Sequence, residues 1–211
     1  MDSMRIAGSA AIIGAAEPFG IEITEKLAAD GYTLQALPSP GPDHGFVTLQ
    51  NAAFSSAGEK VDVLVINVPA TTGYAGFLEI SDTAFATAMQ HYLFAPVAAT
   101  QAALPSLAQG ARIVFISSRG YLGAWGGAHL MAASAALAAM ARSLSLELAD
   151  RQISVNLVAP DFIGSKWDQP RSRRAVANAV SYLASPDTGV SGETMLVDGG
   201  RSLRMTESRR R

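Results

Sequence analysis

The sequence has no cysteine, few aromatic residues, little charge and no long apolar run. The absence of cysteine from all 211 positions excludes disulfides, thiolate catalysis and cysteine-based metal sites, and it fits a reducing, cytoplasmic environment. Charged residues make up 16% and aromatic residues 7% of the chain, with a formal net charge of -2, so no electrostatic footprint for nucleic acid is present. The apolar segments stop short of the roughly 18 residues that a transmembrane helix needs. We therefore expect neither a nucleic-acid nor a membrane partner, and no metal.

Hydrophobic residues, by contrast, make up 49% of the chain, which is enough for one packed domain with a sizeable core. The first apolar run ends at Gly14 and leads into an amphipathic segment, so we expect a first strand there and no signal peptide. We assign residues 1–200 to this domain. Residues 201–211, with Arg201, Arg204 and Arg209–Arg211, are expected to form a basic, solvated tail.

Apolar runs typical of strands alternate with segments of helical period along the whole domain. The predicted strands are Ala10–Ile13, Tyr32–Leu37, Val61–Ile66, Arg112–Ile116, Ile153–Val158 and Glu193–Val197. The predicted helices are Ile21–Asp30, Ser81–Leu107, Ala132–Ala149 and Arg174–Leu183. The proline-rich segment 38–42 predicts a loop. This alternation predicts an α/β domain with a doubly wound parallel sheet between two layers of helices.

Several segments, in this order and spacing, resemble the short-chain dehydrogenase/reductase (SDR) family. They are Asp62–Val65, Thr100–Pro105, Ile113–Ser118, Val155–Pro160 and Val197–Gly200. The resemblance covers nearly the whole chain and implies a single Rossmann-type domain. It also implies an NAD(P)-dependent oxidoreductase that assembles into oligomers, so the residues of the cofactor and catalytic sites have to be compared one by one.

The first turn of the family is glycine-rich, which lets the backbone approach the cofactor pyrophosphate at a helix N-terminus. Gly14 and Gly20 match two of its glycines and are our candidate cofactor-binding residues. Pro18 stands at the middle one of the three glycine positions and removes an N–H, and Glu17 adds a negative charge beside it. The position that grips the adenosine ribose in the family is Pro38. We therefore expect weak or no NAD(P) binding, with the glycines retained for a tight turn and close helix packing.

Asn67 is the third candidate cofactor-binding residue. The family has Asn-Asn-Ala-Gly after its central strand, whereas this chain has Ile66–Pro69 and keeps one asparagine. Its side chain is expected to bond either a ligand or a neighbouring loop.

The family's catalytic centre uses a serine that orients the carbonyl, a tyrosine that donates the proton and, one helical turn later, a lysine that lowers the tyrosine pKa. Ser118 matches the serine and is our candidate catalytic residue. The tyrosine position is Leu130, the lysine position is Ser134, and the asparagine of the family's proton relay aligns with Tyr92. Neither leucine nor serine can perform the missing roles.

Two neighbouring side chains offer a substitute proton donor. His129 precedes the lost tyrosine position and Tyr121 follows Ser118 closely, so a pairing of His129 with Ser118 is one hypothesis. The segment between Asp161 and Arg174 is short, which predicts a reduced substrate lid. Asp161 and the residues after it are similar to halohydrin dehalogenases, which keep this fold without the nicotinamide cofactor.

Three functions follow from these comparisons. The first is a non-catalytic subunit that assembles with itself or with an active SDR partner through its long helices, where Ala132, Ala133, Ala136, Ala139 and Ser143 permit close approach. The second is an atypical NAD(P)-dependent oxidoreductase acting on a carbonyl or alcohol. The third is a cofactor-free enzyme of the dehalogenase kind or a small-molecule sensor. The loss of the tyrosine and lysine favours the first.

Overall fold

The sheet is parallel throughout and has six strands. A computed structural model describes residues 8–39, 60–68, 73–161 and 169–204. Within these ranges the strands lie in the order β2, β1, β3, β4, β5, β6. Their bounds are β1 Gly8–Ile13, β2 Tyr32–Leu37, β3 Val61–Asn67, β4 Leu107–Ile116, β5 Ser154–Pro160 and β6 Thr194–Val197.

The α-helices pack on both faces of this sheet. They are α1 Gly20–Ala29, α2 Asp82–Met89, α3 Ala95–Ala103, α4 Ala128–Glu147, α5 Pro170–Ala184 and α6 Arg201–Arg204. No helix among the described residues is both long enough and apolar enough to span a bilayer.

Two hydrophobic clusters, one on each face, confirm the doubly wound three-layer architecture. In β1, Ile12 belongs to the cluster under α1 and α5, whereas Ile13 belongs to the cluster under α3 and α4. In β3, Val65 and Ile66 divide in the same way. Successive side chains of a strand point to opposite faces, and helices cover both faces here. The central strand β3 therefore has a nearly continuous apolar run in place of an alternating one, whereas the edge strands β2 and β6 keep exposed positions.

The predicted helix over Ser81–Leu107 is wrong in its continuity and in its end. Ser81 is the N-cap, as expected, and its Oγ accepts from the Ala84 N–H at 3.1 Å. A π-helical turn at Gln90–Phe94 then separates α2 from α3. A 3-10 turn closes the segment at Leu104–Ser106, and Leu107 is the first residue of β4. Pro105 lies in that closing turn and cannot continue the helical hydrogen bonding.

Smaller differences concern element ends. The helix predicted from Ala132 begins at Ala128 and ends at Glu147. The helix predicted from Arg174 begins at Pro170, because proline is well suited to the first turn. In the expected basic tail, Arg201–Arg204 are helical. Residues 40–42 of the proline-rich loop, most of the shortened lid and residues 205–211 lie outside the described residues.

The packing of α1 against the sheet gives a stability prediction with a matched control. Ile23 is fully buried, whereas Ile21 on the same helix is 63% exposed. We expect Ile23→Ala to lower the free energy of unfolding by about 2–5 kcal/mol through lost burial and a residual cavity. Ile21→Ala should change it by less than about 0.5 kcal/mol. Urea unfolding followed by circular dichroism measures both, and equal losses would contradict the assigned face of α1.

Candidate functional site

The candidate residues gather at the carboxyl ends of β1, β3 and β4. The chain moves from β1 outward to β2 and then returns across β1 to β3, so the strand order reverses between β1 and β3. In open α/β sheets the crevice at such a switch point is the usual ligand position. Gly14 directly follows β1, Asn67 ends β3, and Ser118 follows β4 closely.

Gly14 and Gly20 are both required by the backbone of the β1–α1 turn. Gly14 has φ +77°, and a Cβ placed on it would lie 2.1 Å from the backbone oxygen of Asn67. A Cβ on Gly20 would lie 2.2 Å from the backbone oxygen of Ala15. No side chain fits at either distance, so the turn needs both glycines whether or not a ligand binds.

Asn67 holds this turn against β3. Its side chain is fully buried, and its Nδ2 donates to the backbone oxygens of Gly14 at 2.9 Å and Pro18 at 3.0 Å. Its Oδ1 has no hydrogen-bond partner among the described residues. Asn67 was expected to bond either a ligand or a neighbouring loop. Its amide N–H groups bond the neighbouring β1–α1 turn, and these bonds cross the switch point between β1 and β3.

The groups around the turn determine what the N-terminus of α1 can bind. Phe19 precedes the helix with φ 74° and provides no side-chain cap, so the first N–H groups of α1 have no capping side chain. Burial lowers the pKa of His91, and the nearby Glu17 carboxylate opposes that shift. Pro18 has no N–H to offer, and Pro38 is exposed at the end of β2. Glu17 therefore places negative charge beside the helix N-terminus.

Ser118 caps a short helical turn. Its Oγ accepts from the Gly120 N–H at 3.0 Å and so begins the 3-10 turn Arg119–Leu122. A Cβ on Gly120 would lie 2.1 Å from Sδ of Met131. The glycine two residues after the candidate catalytic serine is therefore packed directly against α4.

The positions that the sequence analysis aligns with the family's tyrosine and lysine lie inside the protein. Leu130 and Ser134 are each 2% exposed, near the N-terminal end of α4. Leu130 packs in a small hydrophobic cluster with Ala88 and Met131, and Tyr92 packs against that cluster from the π-helical turn. Apolar packing thus occupies the place where the resemblance expects a proton donor.

The hypothesis that His129 shuttles a proton with Ser118 gains no support from the geometry. His129 is 4% exposed, and its Nδ1 has no hydrogen-bond partner among the described residues. Within those residues no hydrogen bond joins it to Ser118, whose hydroxyl caps the 3-10 turn. Tyr121 packs against the core on the α3 and α4 side.

A charged group at the carboxyl ends of β4, β5 and β6 was missed by the sequence reasoning. The Arg119 guanidinium is 8% exposed, and its Nε lies 2.9 Å from Oδ2 of Asp161. Nη1 of Arg201 lies 3.4 Å from the same carboxylate oxygen and also donates to the backbone oxygen of Asp161. Burial raises the pKa of Tyr74, Asp161 raises it further, and Arg119 partly opposes both. In the sequence, only the position of Arg119 directly after Ser118 pointed to this charged group.

Asp198 completes this charged group. Burial opposes its ionisation, but hydrogen bonds from Ser202 and Gly200 and the charge of Arg119 together lower its pKa below the ordinary 3.8. Across residues 8–39, 60–68, 73–161 and 169–204, no cluster of histidine and carboxylate side chains has the composition of a metal site.

A model of the enoyl-(acyl carrier protein) reductase family matches residues 47–172, which is more than half of the chain. The chain belongs to the short-chain dehydrogenase/reductase family. The SDR resemblance inferred from the sequence motifs is thereby confirmed, together with the Rossmann-type fold.

Three SDR-type proteins illustrate the similarity. Subunit BbsC of (2S)-[(R)-hydroxy(phenyl)methyl]succinyl-CoA dehydrogenase from Thauera aromatica is 29% identical over 95% of this chain and 88% of its own length. Subunit BbsD of that dehydrogenase is 37% identical over 44% of this chain and 45% of its own length. The crystal structure of a blue fluorescent protein from a metagenomic library, in complex with NADPH, is 27% identical, with a TM-score of 0.78 over 93% of this chain and 99% of that one.

The turn geometry gives a second matched prediction. Gly14 and Gly110 both have positive φ, +77° and +72°, but a Cβ on Gly110 would meet nothing within 4 Å. Gly110→Ala should cost about 1–2 kcal/mol of stability through backbone strain alone. Gly14→Ala should lose roughly 1–3 kcal/mol more because its Cβ overlaps the backbone of Asn67. Urea unfolding measures the difference, and equal losses would show that the turn can open.

Proposed function

We propose that this chain is a non-catalytic SDR subunit that assembles with itself or with an active SDR partner. The observation that carries the proposal is the burial of Leu130 and Ser134, each 2% exposed, at the positions that the family's tyrosine and lysine occupy. Proton delivery to a carbonyl in this family needs a phenol whose pKa is lowered by a neighbouring cation. A buried leucine donates no proton, and a serine has no positive charge with which to lower a phenol pKa.

The residues of the β1–α1 turn do not fit a nicotinamide dinucleotide. A pyrophosphate at a helix N-terminus needs backbone N–H donors and no competing negative charge. Pro18 removes one donor, and the Glu17 carboxylate lies close enough to the turn region to act on His91. Pro38 has no side-chain acceptor for a ribose hydroxyl. We therefore derive no reaction step through NAD(P).

Ser118 retains its hydroxyl, and we propose that it now stabilises the 3-10 turn after β4. The hydrogen bond from the Gly120 N–H at 3.0 Å and the contact of Gly120 with Met131 join this turn to α4. Gly14, Gly20 and Asn67 have an equivalent structural role at the other side of the cleft. In this proposal the former site residues hold the scaffold together.

The relatives support an assembly of related subunits. BbsC and BbsD are two subunits of one dehydrogenase, and both are similar to this chain. A subunit without its own chemistry is consistent with such an arrangement. We place it in the cytoplasm on the strength of its cysteine-free sequence.

The outer face of α4 offers a surface for assembly. Of the small residues singled out from the sequence, Ala133 is fully buried in this chain's own core. Ala139 and Ser143 are exposed, and Ala132 and Ala136 are half-buried on the same side of the helix. Small side chains at this spacing allow another helix to approach closely.

The cofactor test separates this proposal from an atypical oxidoreductase, which the NADPH complex of the metagenomic relative favours. Titration of the purified chain with NADH and with NADPH, followed by nicotinamide fluorescence, should show no saturable binding below millimolar cofactor. That metagenomic protein is the positive control. Saturable binding in the micromolar range would overturn the non-catalytic assignment and establish the oxidoreductase as the better candidate.

The assembly test uses two arginine substitutions on exposed helical alanines. Ala139→Arg on α4 should weaken self-association or partner binding by roughly tenfold or more, because an unpaired charge would be buried in the contact. Ala29→Arg on α1 is the matched control and should leave association unchanged. Light scattering of the chain alone and mixed with SDR subunits purified from its native host measures both. A monomer at micromolar concentration in every mixture would contradict the proposal.

A further inference from the structure

A cavity of about 440 Å³ lies between the N-terminal turns of α2 and α4. Its described lining residues are Gly73, Ser81, Thr83, Ala84, Thr87, Ala88, Tyr92, His129 and Leu130. Gly14, Asn67 and Ser118 are not among them, so this cavity does not include the glycine turn or the serine. It adjoins the aligned catalytic site, because Leu130 and Tyr92 stand at the positions aligned with the family's tyrosine and asparagine. Its volume lies within the range of roughly 300–1,000 Å³ that small-molecule sites occupy.

We propose that this cavity binds a small organic carboxylate, with the carboxylate at His129 and the N-terminus of α4 and the apolar tail against Leu130. The proposal goes beyond the subunit role, because it concerns a ligand of the isolated chain.

His129 provides the first argument for a ligand. It lines the cavity and is 4% exposed, and its Nδ1 has no hydrogen-bond partner among the described residues. A buried ring nitrogen left without a partner is unfavourable by about 1–3 kcal/mol. Gly73 lies close to the ring, since a Cβ placed there would be 3.9 Å from Nε2. A ligand oxygen in the cavity would supply the missing hydrogen bond.

The uncapped N-terminus of α4 provides the second argument. The cavity is lined by Ser81, Thr83 and Ala84 from the first turn of α2, and by His129 and Leu130 from the first turn of α4. Helix α4 has 20 residues, and its N-cap, Gly127, offers no side-chain cap. The first N–H groups of α4 therefore have no capping side chain, and the positive end of its dipole favours an anion. The α2 end contributes less, because Ser81 already caps it and Asp82 adds a negative charge to its first turn.

The other lining residues determine which kind of anion fits the cavity. None of the described lining residues has a carboxylate that would repel an anion. Ala84, Ala88 and Leu130 provide an apolar wall, and Ser81, Thr83, Thr87 and Tyr92 contribute hydroxyl groups. This combination suits a short aliphatic carboxylate better than an inorganic anion, because phosphate or sulfate would leave the apolar wall without a contact.

The test compares hexanoate with hexan-1-ol, which has the same tail without the charge. Isothermal calorimetry or saturation-transfer NMR on the full chain should show hexanoate binding at least about tenfold more tightly than hexanol, since hydrogen bonds to a charged group are the stronger ones. Equal binding of the two would refute the carboxylate assignment. No hexanoate binding at millimolar concentration would refute the site.

Three variants locate the binding. His129→Phe keeps a ring and removes both nitrogens, so hexanoate affinity should fall by about tenfold. Ala84→Trp fills the cavity from α2 and should abolish binding, whereas Ala86→Trp, on the exposed side of α2 and outside the lining, should leave it intact. Binding that survives Ala84→Trp would place the ligand elsewhere and overturn the proposal. If His129→Phe does not fold, the two tryptophan variants still show whether hexanoate binds in this cavity.

These outcomes are independent of the proposed subunit role. NADPH should not compete with hexanoate, because the cavity does not include the residues of the glycine turn. Loss of hexanoate binding leaves the assembly measurements untouched, and a failed assembly test leaves the cavity measurements untouched. Competition by NADPH would show that the cavity is part of a cofactor site and would overturn the distinction drawn here.

Discussion

The contact between Gly14 and Asn67 at the switch point constrains everything around the cleft. The Asn67 amide bonds two carbonyls of the β1–α1 turn, and its backbone oxygen fills the space where a Cβ on Gly14 would be. This arrangement sets the path of the turn, places the fully buried Phe19 under the sheet with φ 74°, and fixes where α1 begins. A buried backbone carbonyl without a donor is costly, so the asparagine stabilises the fold with or without a ligand. Motif residues of a binding site can therefore persist for purely structural reasons.

The same reasoning applies to the positions aligned with the family's tyrosine and lysine. A lysine buried at position 134 would need a partner charge and several hydrogen bonds to offset its desolvation. A serine in the same place avoids that requirement, and Leu130 adds apolar contacts with Ala88 and Met131. Under the proposed non-catalytic role, leucine and serine at these positions avoid a conflict between function and stability in the core of α4. The charged residues that do remain near the cleft, Arg119, Asp161 and Arg201, are matched with one another.

Sequence periodicity predicted the sheet well and the long helix poorly, for different physical reasons. The strand Tyr32–Leu37 was predicted to the residue, and Val61–Ile66 lacked only Asn67. For β3 the reason is an apolar run buried on both faces, which has few other solutions. For the edge strand β2 the reason is punctuation, because Gly31 precedes it and Pro38 follows it. The residues of the π-helical turn at Gln90–Phe94 do not differ in type from those of an α-helix, so an unbroken helix was expected. Arg119 was overlooked because its partner Asp161 is distant along the chain and only the register of β4 with β5 brings them together. Helix and strand types are local properties, whereas site electrostatics depend on tertiary contacts.

Helix α4 contributes to three surfaces: the core under the sheet, the exposed outer face and the cavity beside α2. Its inner face packs on the sheet through Leu137 and Ala141, which leaves no freedom in its rotation about its axis. That rotation directs Ala139 and Ser143 outward, where another subunit can approach. It also sets His129, in the first turn, against the cavity beside α2. Because the helix is held rigidly by the core, a change at its N-terminal turn can reach the outer face only by shifting the helix as a body.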